Sequence, residues 1–415
     1  MRFLWNKYKF LFLSFFSVFG PATISAIADN DAAGVATFTL VGAKFGYSIL
    51  FVLLFVTILL AVTQEMGVRI AVVTGKGLGD FIRERYGVRT ALLVFLLLSI
   101  ANLGSIVANF SALKAVAGMF NFPAFLLIIL IIGFAFLIIS KGGYHTNQRV
   151  FLLAALFYFS YIFSAFRSNP NWGQALVSLI SPGQLQFSQE FIFASIAVLG
   201  TTITPWGQFF VNSFMVDKKI QLDKLRFAQI ETYFGSFLAN FFSFFMVVAT
   251  AATLYKHGIN LVSGEQAAIA IAPFAGQFAG FLFAFGLVNS AIMGIIVISL
   301  TTAYAFSEFF GFEGSLDAPF EKGKLFYGIF LFQLVIASVI VMLPFISLFQ
   351  IVLYTQSVNA ILLPLIFFYL LKITNNRSLM GKYVNNKWQN YLAICSSGII
   401  IVSAIFVIFG LLFKL

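Results

Sequence analysis

Charged residues are scarce in this chain: Asp, Glu, Lys and Arg together make up 9% of its 415 residues, against about a quarter in soluble proteins. Hydrophobic residues account for 61%, and the mean hydropathy is +1.00. So few polar side chains cannot coat a water-soluble globule of this length. The composition excludes a soluble enzyme and a disordered chain, and it indicates a protein embedded in lipid.

Cysteine and histidine are almost absent. The single Cys395 lies in an apolar run and cannot form an intrachain disulfide, which excludes a secreted disulfide scaffold. With only His145 and His257 besides, no His/Cys metal site can be assembled, so any bound metal must use oxygen ligands. The sequence also lacks a nucleophile–base set and a cofactor loop. We therefore expect neither an enzyme nor a resident cofactor.

Apolar stretches long enough to cross a bilayer recur along the whole chain, with short polar connections and no soluble domain between them. We predict eleven spans, and the first and sixth are interrupted by polar residues with Gly or Pro. The spans cover residues 15–42, 48–70, 90–116, 122–140, 149–167, 190–214, 228–254, 278–308, 325–347, 349–371 and 390–413.

The basic residues predict the orientation, because cytoplasmic connections retain Lys and Arg. With the N-terminus inside, 20 of the 25 Lys and Arg residues fall on the cytoplasmic side of the eleven spans. We predict a multi-pass plasma-membrane protein with a cytoplasmic N-terminus and an extracytoplasmic C-terminus. The net charge of +11 then needs no nucleic-acid partner.

The segment Ala26-Ile27-Ala28 also resembles a signal-peptide cleavage site. Pro21 before it and the acidic residues directly after it favour a different interpretation, in which this segment is the middle of a broken membrane helix.

The first interruption contains two carboxylates, Asp29 and Asp31, in the run DNDAAG at 29–34. Ionised groups at membrane depth cost several kcal/mol and are functional candidates by default. In an unwound segment both side chains can turn toward one site, where a cation would relieve their repulsion. We predict Asp29 as a cation ligand. For Asp31 two roles stay open, a ligand or the N-cap of the restarting helix.

The second interruption is GTTITPWGQ at 200–208, where Pro205 removes a helical hydrogen bond and three Thr residues supply oxygens. Interrupted helices five spans apart are typical of transporters built from two inverted five-helix repeats around a site at the membrane midplane. The pairing of the two breaks predicts that architecture here.

Three stretches resemble the Nramp family of divalent-metal transporters. They are VTGKGLGDFIRERYG at 73–87, GPATISAIADND before the first break, and ITNNRSLMG at 373–381. The similarity covers most of the chain. It implies an all-α polytopic, LeuT-like fold with broken helices 1 and 6 and an appended eleventh helix. We expect one transmembrane domain, with repeat one at about 15–167, repeat two at about 190–371 and the extra helix at about 390–413.

Two departures from the family pattern indicate an ion that prefers oxygen ligands to sulfur. Typical members carry Asp-Pro-Gly-Asn in the first break, and this chain has Asp29-Asn30-Asp31-Ala32, so the family's Asn ligand becomes Ala32. Met-Pro-His in the second break becomes Thr204-Pro205-Trp206, so a hydroxyl replaces the thioether. Oxygen-only shells suit Mg²⁺, Ca²⁺ and Mn²⁺. The pattern resembles that of the Nramp-related magnesium transporter branch.

Titratable positions of the family are also replaced. The Asp and Glu of span 3 match Asn102 and Ser105, the two His residues of the sixth helix match Trp206 and Val211, and span 9 contains no Arg. These substitutions argue against coupling of metal transport to protons.

The resemblance and the two breaks together imply a set of metal-site residues. Ala26 and Thr201 would offer backbone carbonyls, Thr204 a hydroxyl, and Gln356 matches a family Gln near the site, although an interhelical hydrogen bond is its alternative role. Asn30 either faces the site or caps a helix. The candidate metal ligands are Ala26, Asp29, Asn30, Asp31, Thr201, Thr204 and Gln356.

These expectations add up to import of Mg²⁺, and of Mn²⁺, by alternating access without proton coupling. The partners would be the transported ion and the bilayer, and a monomer would suffice. A proton-coupled Mn²⁺/Fe²⁺ transporter is the nearer alternative, with Glu65 or Glu308 as proton carrier. A sodium-coupled symporter for an organic solute is the remoter one.

Overall fold

The computed structural model describes residues 13–259, 261, 266–343 and 348–413, and they form helices joined by short connections. Residues 13–18 are helical and precede the first named element. The helices are α1 (Pro21–Ala28), α2 (Ala32–Phe45), α3 (Leu50–Thr74), α4 (Leu78–Met119), α5 (Ala124–Lys141), α6 (Gly143–Leu156), α7 (Phe159–Arg167), α8 (Trp172–Ile180), α9 (Gln189–Thr202), α10 (Pro205–Asp217), α11 (Leu225–Thr253), α12 (Gln266–Ala275), α13 (Gln277–Phe310), α14 (Lys324–Met342), α15 (Leu348–Thr374), α16 (Arg377–Met380) and α17 (Lys387–Phe413).

Each of the eleven predicted spans contains helix. Within the described residues, seven continuous helical stretches are long and apolar enough to cross a bilayer. The third span begins earlier than the sequence predicted, at Leu78, and bends at Gly87, whose φ of 81° suits a residue without a side chain. The short helices α8 and α12, which the sequence did not predict, lie in connections between spans.

Two spans are discontinuous. The first consists of residues 13–18, α1 and α2, and the sixth consists of α9 and α10. The half-helices pack against each other across the breaks, α1 against α10 and α2 against α9, and α11 packs along both α1 and α2. Both predicted breaks are therefore present, and they meet inside the bundle.

The N-terminal end of α1 is held by a side chain from another helix. Gly20, at φ 136°, separates α1 from the preceding helical residues. The buried carboxylate of Glu231 on α11 accepts hydrogen bonds from the backbone N–H groups of Gly20 (3.1 Å), Ala22 (3.2 Å) and Thr23 (2.7 Å). These are N–H groups that a helix start leaves without intrahelical partners, and a carboxylate also suits the positive end of the helix dipole.

The carbonyl groups before this break are held in the same way by donors. The ammonium of Lys218 donates to the carbonyls of Val18 (2.8 Å) and Phe19 (2.7 Å), and the Gln148 amide donates to Phe19 (2.6 Å). Burial lowers the pKa of Lys218 to about 8, and the nearby Glu231 carboxylate opposes that decrease. Residues 18–23 thus form a second break in the first span, where side chains from elsewhere in the chain bond to the freed backbone N–H and carbonyl groups.

Candidate metal-binding site

Asp29 lies where the two discontinuous helices meet. It directly follows α1, and the residue is 3% exposed. Its Oδ1 accepts a hydrogen bond from the Thr204 hydroxyl at 2.8 Å, and its Oδ2 lies 3.4 Å from the amide nitrogen of Gln64 on α3. The predicted ligands from the two breaks, Asp29 and Thr204, are therefore in direct contact.

Thr204 has a second task as the N-cap of α10. Its hydroxyl oxygen accepts the N–H of Gly207 at 3.0 Å while the hydroxyl donates to Asp29. The missing side chain of Gly207 leaves room for this arrangement. A Cβ atom at that position would lie 2.8 Å from both Asp29 Oδ1 and Thr204 Oγ1, closer than real Cβ contacts.

The breaks release two backbone carbonyls that were predicted as ligands. The Asn30 N–H donates to Ile27 at 3.0 Å, so the Ala26 carbonyl loses the partner that a continuous helix would supply. The Thr201 carbonyl loses its partner because Pro205, four residues later, has no N–H. Ala26 and Thr201 are both buried.

Asp31 adopts the capping arrangement. It is the N-cap of α2; its Oδ1 accepts the N–H of Gly34 at 2.9 Å, and its Oδ2 accepts the amide of Asn109 on α4 at 2.8 Å. The Asn109 carbonyl oxygen in turn accepts the N–H of Ala32 at 2.9 Å. Gly294 on α13 makes room for this pair, since a Cβ there would lie 2.7 Å from both the Asp31 Cβ and Asn109 Oδ1.

The side chain of Asn30 is engaged by α11. Its amide nitrogen donates to the Ala239 carbonyl at 2.7 Å, and its amide oxygen accepts the Ser243 hydroxyl at 2.8 Å. Its backbone carbonyl accepts the Tyr158 hydroxyl at 3.1 Å. Of the two roles left open for Asn30, neither is the one seen, because both polar groups of the amide anchor the break to α11. Gln356 lies on α15, and its side chain falls outside the described part of the structure.

Two residues beside the breaks were missed by the sequence reasoning, Gln64 and Asn109. Both are fully buried within apolar helices. The signal that could have found them is a polar amide in the middle of a predicted span. Among the described residues, no group of three or more His, Cys, Asp or Glu side chains is gathered, so the site has the two carboxylates of the first break and neutral oxygen groups around them.

The positions predicted to have lost titratable groups are neutral and buried. The Asn102 amide donates to the Thr302 hydroxyl at 2.8 Å, and the Ser105 hydroxyl donates to the Ala101 carbonyl at 3.1 Å. Trp206 and Val211 are buried on α10. None of the predicted replacement positions places a titratable group at the site.

The two acids named as possible proton carriers have other partners. Glu65 forms a buried ion pair with Arg69, with Oε1 2.8 Å from the Arg69 Nε, and it also accepts the Gln229 amide at 2.7 Å. Glu308, near the end of α13, accepts the Ser213 hydroxyl at 2.5 Å and the Gly79 N–H at 2.9 Å.

Two pairs of half-helices that meet at a buried carboxylate inside the bundle are the arrangement of a LeuT-like membrane fold, with two inverted five-helix repeats and an eleventh helix. The profile of the family described as natural resistance-associated macrophage protein-like, Nramp, matches residues 22–410. The chain therefore belongs to the Nramp family, whose members are transporters and not enzymes, with metal as cargo and no cofactor.

Relatives and solved structures agree with this assignment. The divalent metal cation transporter MntH of Staphylococcus haemolyticus is 24% identical over 409 residues, which is 94% of this chain and 90% of the relative. The MntH of Nostoc sp. is 24% identical over 408 residues, covering 90% and 86% of the two chains.

Among solved structures, the manganese transporter of Eremococcus coleocola superposes with a TM-score of 0.78 at 18% identity, covering 97% of this chain and 89% of that one. The nucleobase-cation-symport-1 transporter Mhp1 superposes with a TM-score of 0.55 at 15% identity, covering 94% and 92%. These superpositions establish the fold.

Proposed function

We propose that this protein imports divalent metal ions, Mg²⁺ and also Mn²⁺, across the plasma membrane by alternating access and without proton coupling. The observation that carries the proposal is the buried Asp29 carboxylate, which lies between two helix breaks and contacts the Thr204 hydroxyl at 2.8 Å. A negative charge at this depth is best explained by a cation that it receives.

The proposed ligands are oxygen atoms. Asp29 supplies the charge, Thr204 binds directly or through a water, and the carbonyls of Ala26 and Thr201 complete the protein's share. Gln356 is retained as a candidate from α15, a helix that contacts α9 and α10. Asp31 contributes its charge from the N-cap of α2, where the Gly34 N–H and the Asn109 amide hold it.

The chemistry of this set favours Mg²⁺ over softer ions. Mg²⁺ is usually bound through one or two carboxylates while it keeps several waters. Thioether ligands select softer transition metals, and the position where the family carries its Met is Thr204 here. The relatives that bear the name manganese or divalent metal transporter support Mn²⁺ as a second substrate.

Electrical energy is sufficient to drive uptake. Each charge that crosses the membrane gains about 2.3 kcal/mol per 100 mV, so a divalent ion gains roughly 4.6 kcal/mol, which sustains a gradient on the order of a thousandfold. A uniporter therefore needs no coupling ion. The proposed uniporter has a cytoplasmic N-terminus, an extracytoplasmic C-terminus and repeats at about 15–167 and 190–371. One chain contains the whole proposed pathway.

The alternatives require groups that other contacts occupy. A proton-coupled Mn²⁺/Fe²⁺ transporter would need Glu65, which is ion-paired to Arg69, or Glu308, which accepts two hydrogen bonds. A sodium-coupled symporter would bring the carboxylate of many organic solutes against Asp29 and Asp31, where like charges repel.

Flux through purified protein in liposomes tests the function. With Mg²⁺ outside and both a Mg²⁺ indicator and a pH dye inside, we expect Mg²⁺ uptake that follows an imposed negative-inside potential, without acidification. Excess Mg²⁺ should suppress Mn²⁺ uptake through the same site. Stoichiometric proton entry, or Mn²⁺ uptake that excess Mg²⁺ leaves unchanged, would contradict the proposal.

Exchanging Thr204 for methionine is expected to shift the ion preference toward soft ions. Thr204→Met should raise the ratio of Cd²⁺ to Mg²⁺ affinity by about tenfold or more, because a thioether favours Cd²⁺. The variant also loses the N-cap of α10, which costs about 1 kcal/mol. Thr204→Ser is the matched control, since it keeps the hydroxyl, the cap and the Asp29 contact. Isothermal titration with each ion measures the ratio, and an unchanged ratio would remove Thr204 from the site.

A further inference from the structure

Two buried glutamines have carbonyl oxygens without partners in the described part of the structure: Gln64 on α3, next to Asp29, and Gln208 on α10, one turn after Thr204. Both residues are 0% exposed. Their amide nitrogens make only long contacts: Gln64 Nε2 lies 3.4 Å from Asp29 Oδ2, and Gln208 Nε2 lies 3.5 Å from the Thr63 hydroxyl. Both amides are thus weakly tied and offer a free acceptor.

Packing between α3 and α10 holds the two glutamines at the same level of the bundle. Asn212 donates its amide to the Gly67 carbonyl at 2.9 Å, and a Cβ atom on Gly67 would lie 3.3 Å from Val211. This close approach places Thr63 against Gln208, one helical turn beyond the N-cap Thr204, and places Gln64 next to Asp29.

A buried polar atom that lacks a hydrogen bond costs about 1–3 kcal/mol, so these two unsatisfied oxygens call for an explanation. The same positions could hold apolar residues if they served packing alone. Carbonyl oxygens accept hydrogen bonds, and a metal-bound water is a donor. The chemistry that satisfies both amides is therefore a hydrated cation bound at Asp29.

We propose that Gln64 and Gln208 form an outer-sphere subsite, in which their carbonyl oxygens accept hydrogen bonds from waters that the divalent ion retains. The subsite rests on the proposed transport of divalent ions and adds a selectivity device to it. Mg²⁺ dehydrates reluctantly and benefits from acceptors placed around its waters. Ions that give up water more readily benefit less, so the two amides favour Mg²⁺.

Leucine substitutions test this subsite, because leucine matches the glutamine side chain in size and removes the acceptor. In the purified full-length protein, Gln64→Leu and Gln208→Leu should each weaken Mg²⁺ binding about tenfold, within the 10–100-fold range known for outer-shell partners. Mn²⁺ binding should weaken less than threefold. Isothermal titration of each ion gives both affinities, and thermal unfolding shows whether each variant is folded.

Gln333→Leu is the matched control. Gln333 on α14 is also buried with an unpartnered carbonyl oxygen, and its amide donates to the Ser99 carbonyl at 3.2 Å, away from both breaks. Its replacement should leave both ion affinities unchanged. If a leucine variant does not fold, Gln64→Asn and Gln208→Asn serve instead, since they withdraw the oxygen by one methylene and carry the same expectation.

The outcomes separate the two proposals. If the unsubstituted protein binds Mg²⁺ normally, either of two results would overturn the outer-sphere subsite alone. One is an equal loss of affinity for Mg²⁺ and Mn²⁺ in the glutamine variants, and the other is no loss of affinity in either variant. An effect of Gln333→Leu as large as that of Gln208→Leu would overturn it as well. Failure of the unsubstituted protein to bind either ion would overturn the proposed function itself.

Discussion

Replacing Asp29 by alanine is expected to abolish ion uptake while the protein stays folded. Loss of an outer-shell partner alone costs 10–100-fold, so loss of the one carboxylate that joins the two breaks should lower uptake at least about 100-fold. The fold should tolerate the change, because an unneutralised buried carboxylate is itself costly. Liposome flux of Mg²⁺ measures the activity, and size-exclusion profile and thermal unfolding report on folding.

Asp31→Asn serves as the comparison for that experiment. Asparagine is a good N-cap, so it can still accept the Gly34 N–H, and the backbone of α2 should start at the same residue. We expect uptake to fall less than tenfold, since the asparagine removes a charge near the ion but no ligand. If Asp29→Ala kept normal ion uptake and Asp31→Asn abolished it, the roles assigned to the two carboxylates would have to be exchanged.

Gly207→Ala is expected to have the second large effect. The added methyl group would lie 2.8 Å from both Asp29 Oδ1 and Thr204 Oγ1, so the carboxylate, the hydroxyl or the start of α10 has to move. Overpacking of this kind costs about 1–3 kcal/mol, and here the displaced atoms are the proposed ligands. We expect uptake to fall at least about tenfold, measured as Mg²⁺ flux per folded protein.

Gly200→Ala is the matched control in the same broken span. A Cβ atom at Gly200 meets nothing within 4 Å, and the residue is inside α9. The substitution should therefore stabilise the protein by about 0.4–1 kcal/mol, because alanine loses less backbone entropy in a helix. Uptake should be unchanged. Equal activities for the two alanine variants would show that the space at Gly207 is not used by the site.

Much of the fold could be predicted from the sequence, because a chain that crosses a lipid bilayer needs long apolar helices. Long apolar runs and two interruptions five spans apart can be read without coordinates, and the structure has helix in each run and a break at each interruption. The boundaries were less accurate. The helix predicted at 90–116 begins at Leu78, inside the 73–87 stretch that looked like a polar connection. The chain bends at Gly87, but the helix continues through it.

The site was partly predictable for a similar reason. Asp29 and Thr204 belong to breaks that the sequence displays. Gln64 is visible only as a polar amide in the middle of an apolar span, and its position next to Asp29 depends on how α3 packs in the bundle. The role of Asp31 shows a further limit. A carboxylate at a helix restart suits a cap and a ligand equally well, and only the partners Gly34 and Asn109 distinguish the two geometries.

The second break in the first span, at residues 18–23, has a consequence for how the proposed pathway opens. The eight residues of α1 are joined to the chain by non-helical residues at both ends, and the side chains that hold its start, Glu231 and Lys218, belong to neighbouring elements. Such a segment can tilt by rotation about the non-helical residues at its two ends, without unwinding any long helix. Ala26 lies in α1 and Asp29 directly follows it, so tilting of this segment would move both proposed ligands together. Loss of the proposed coordination would then accompany opening of the pathway in one movement.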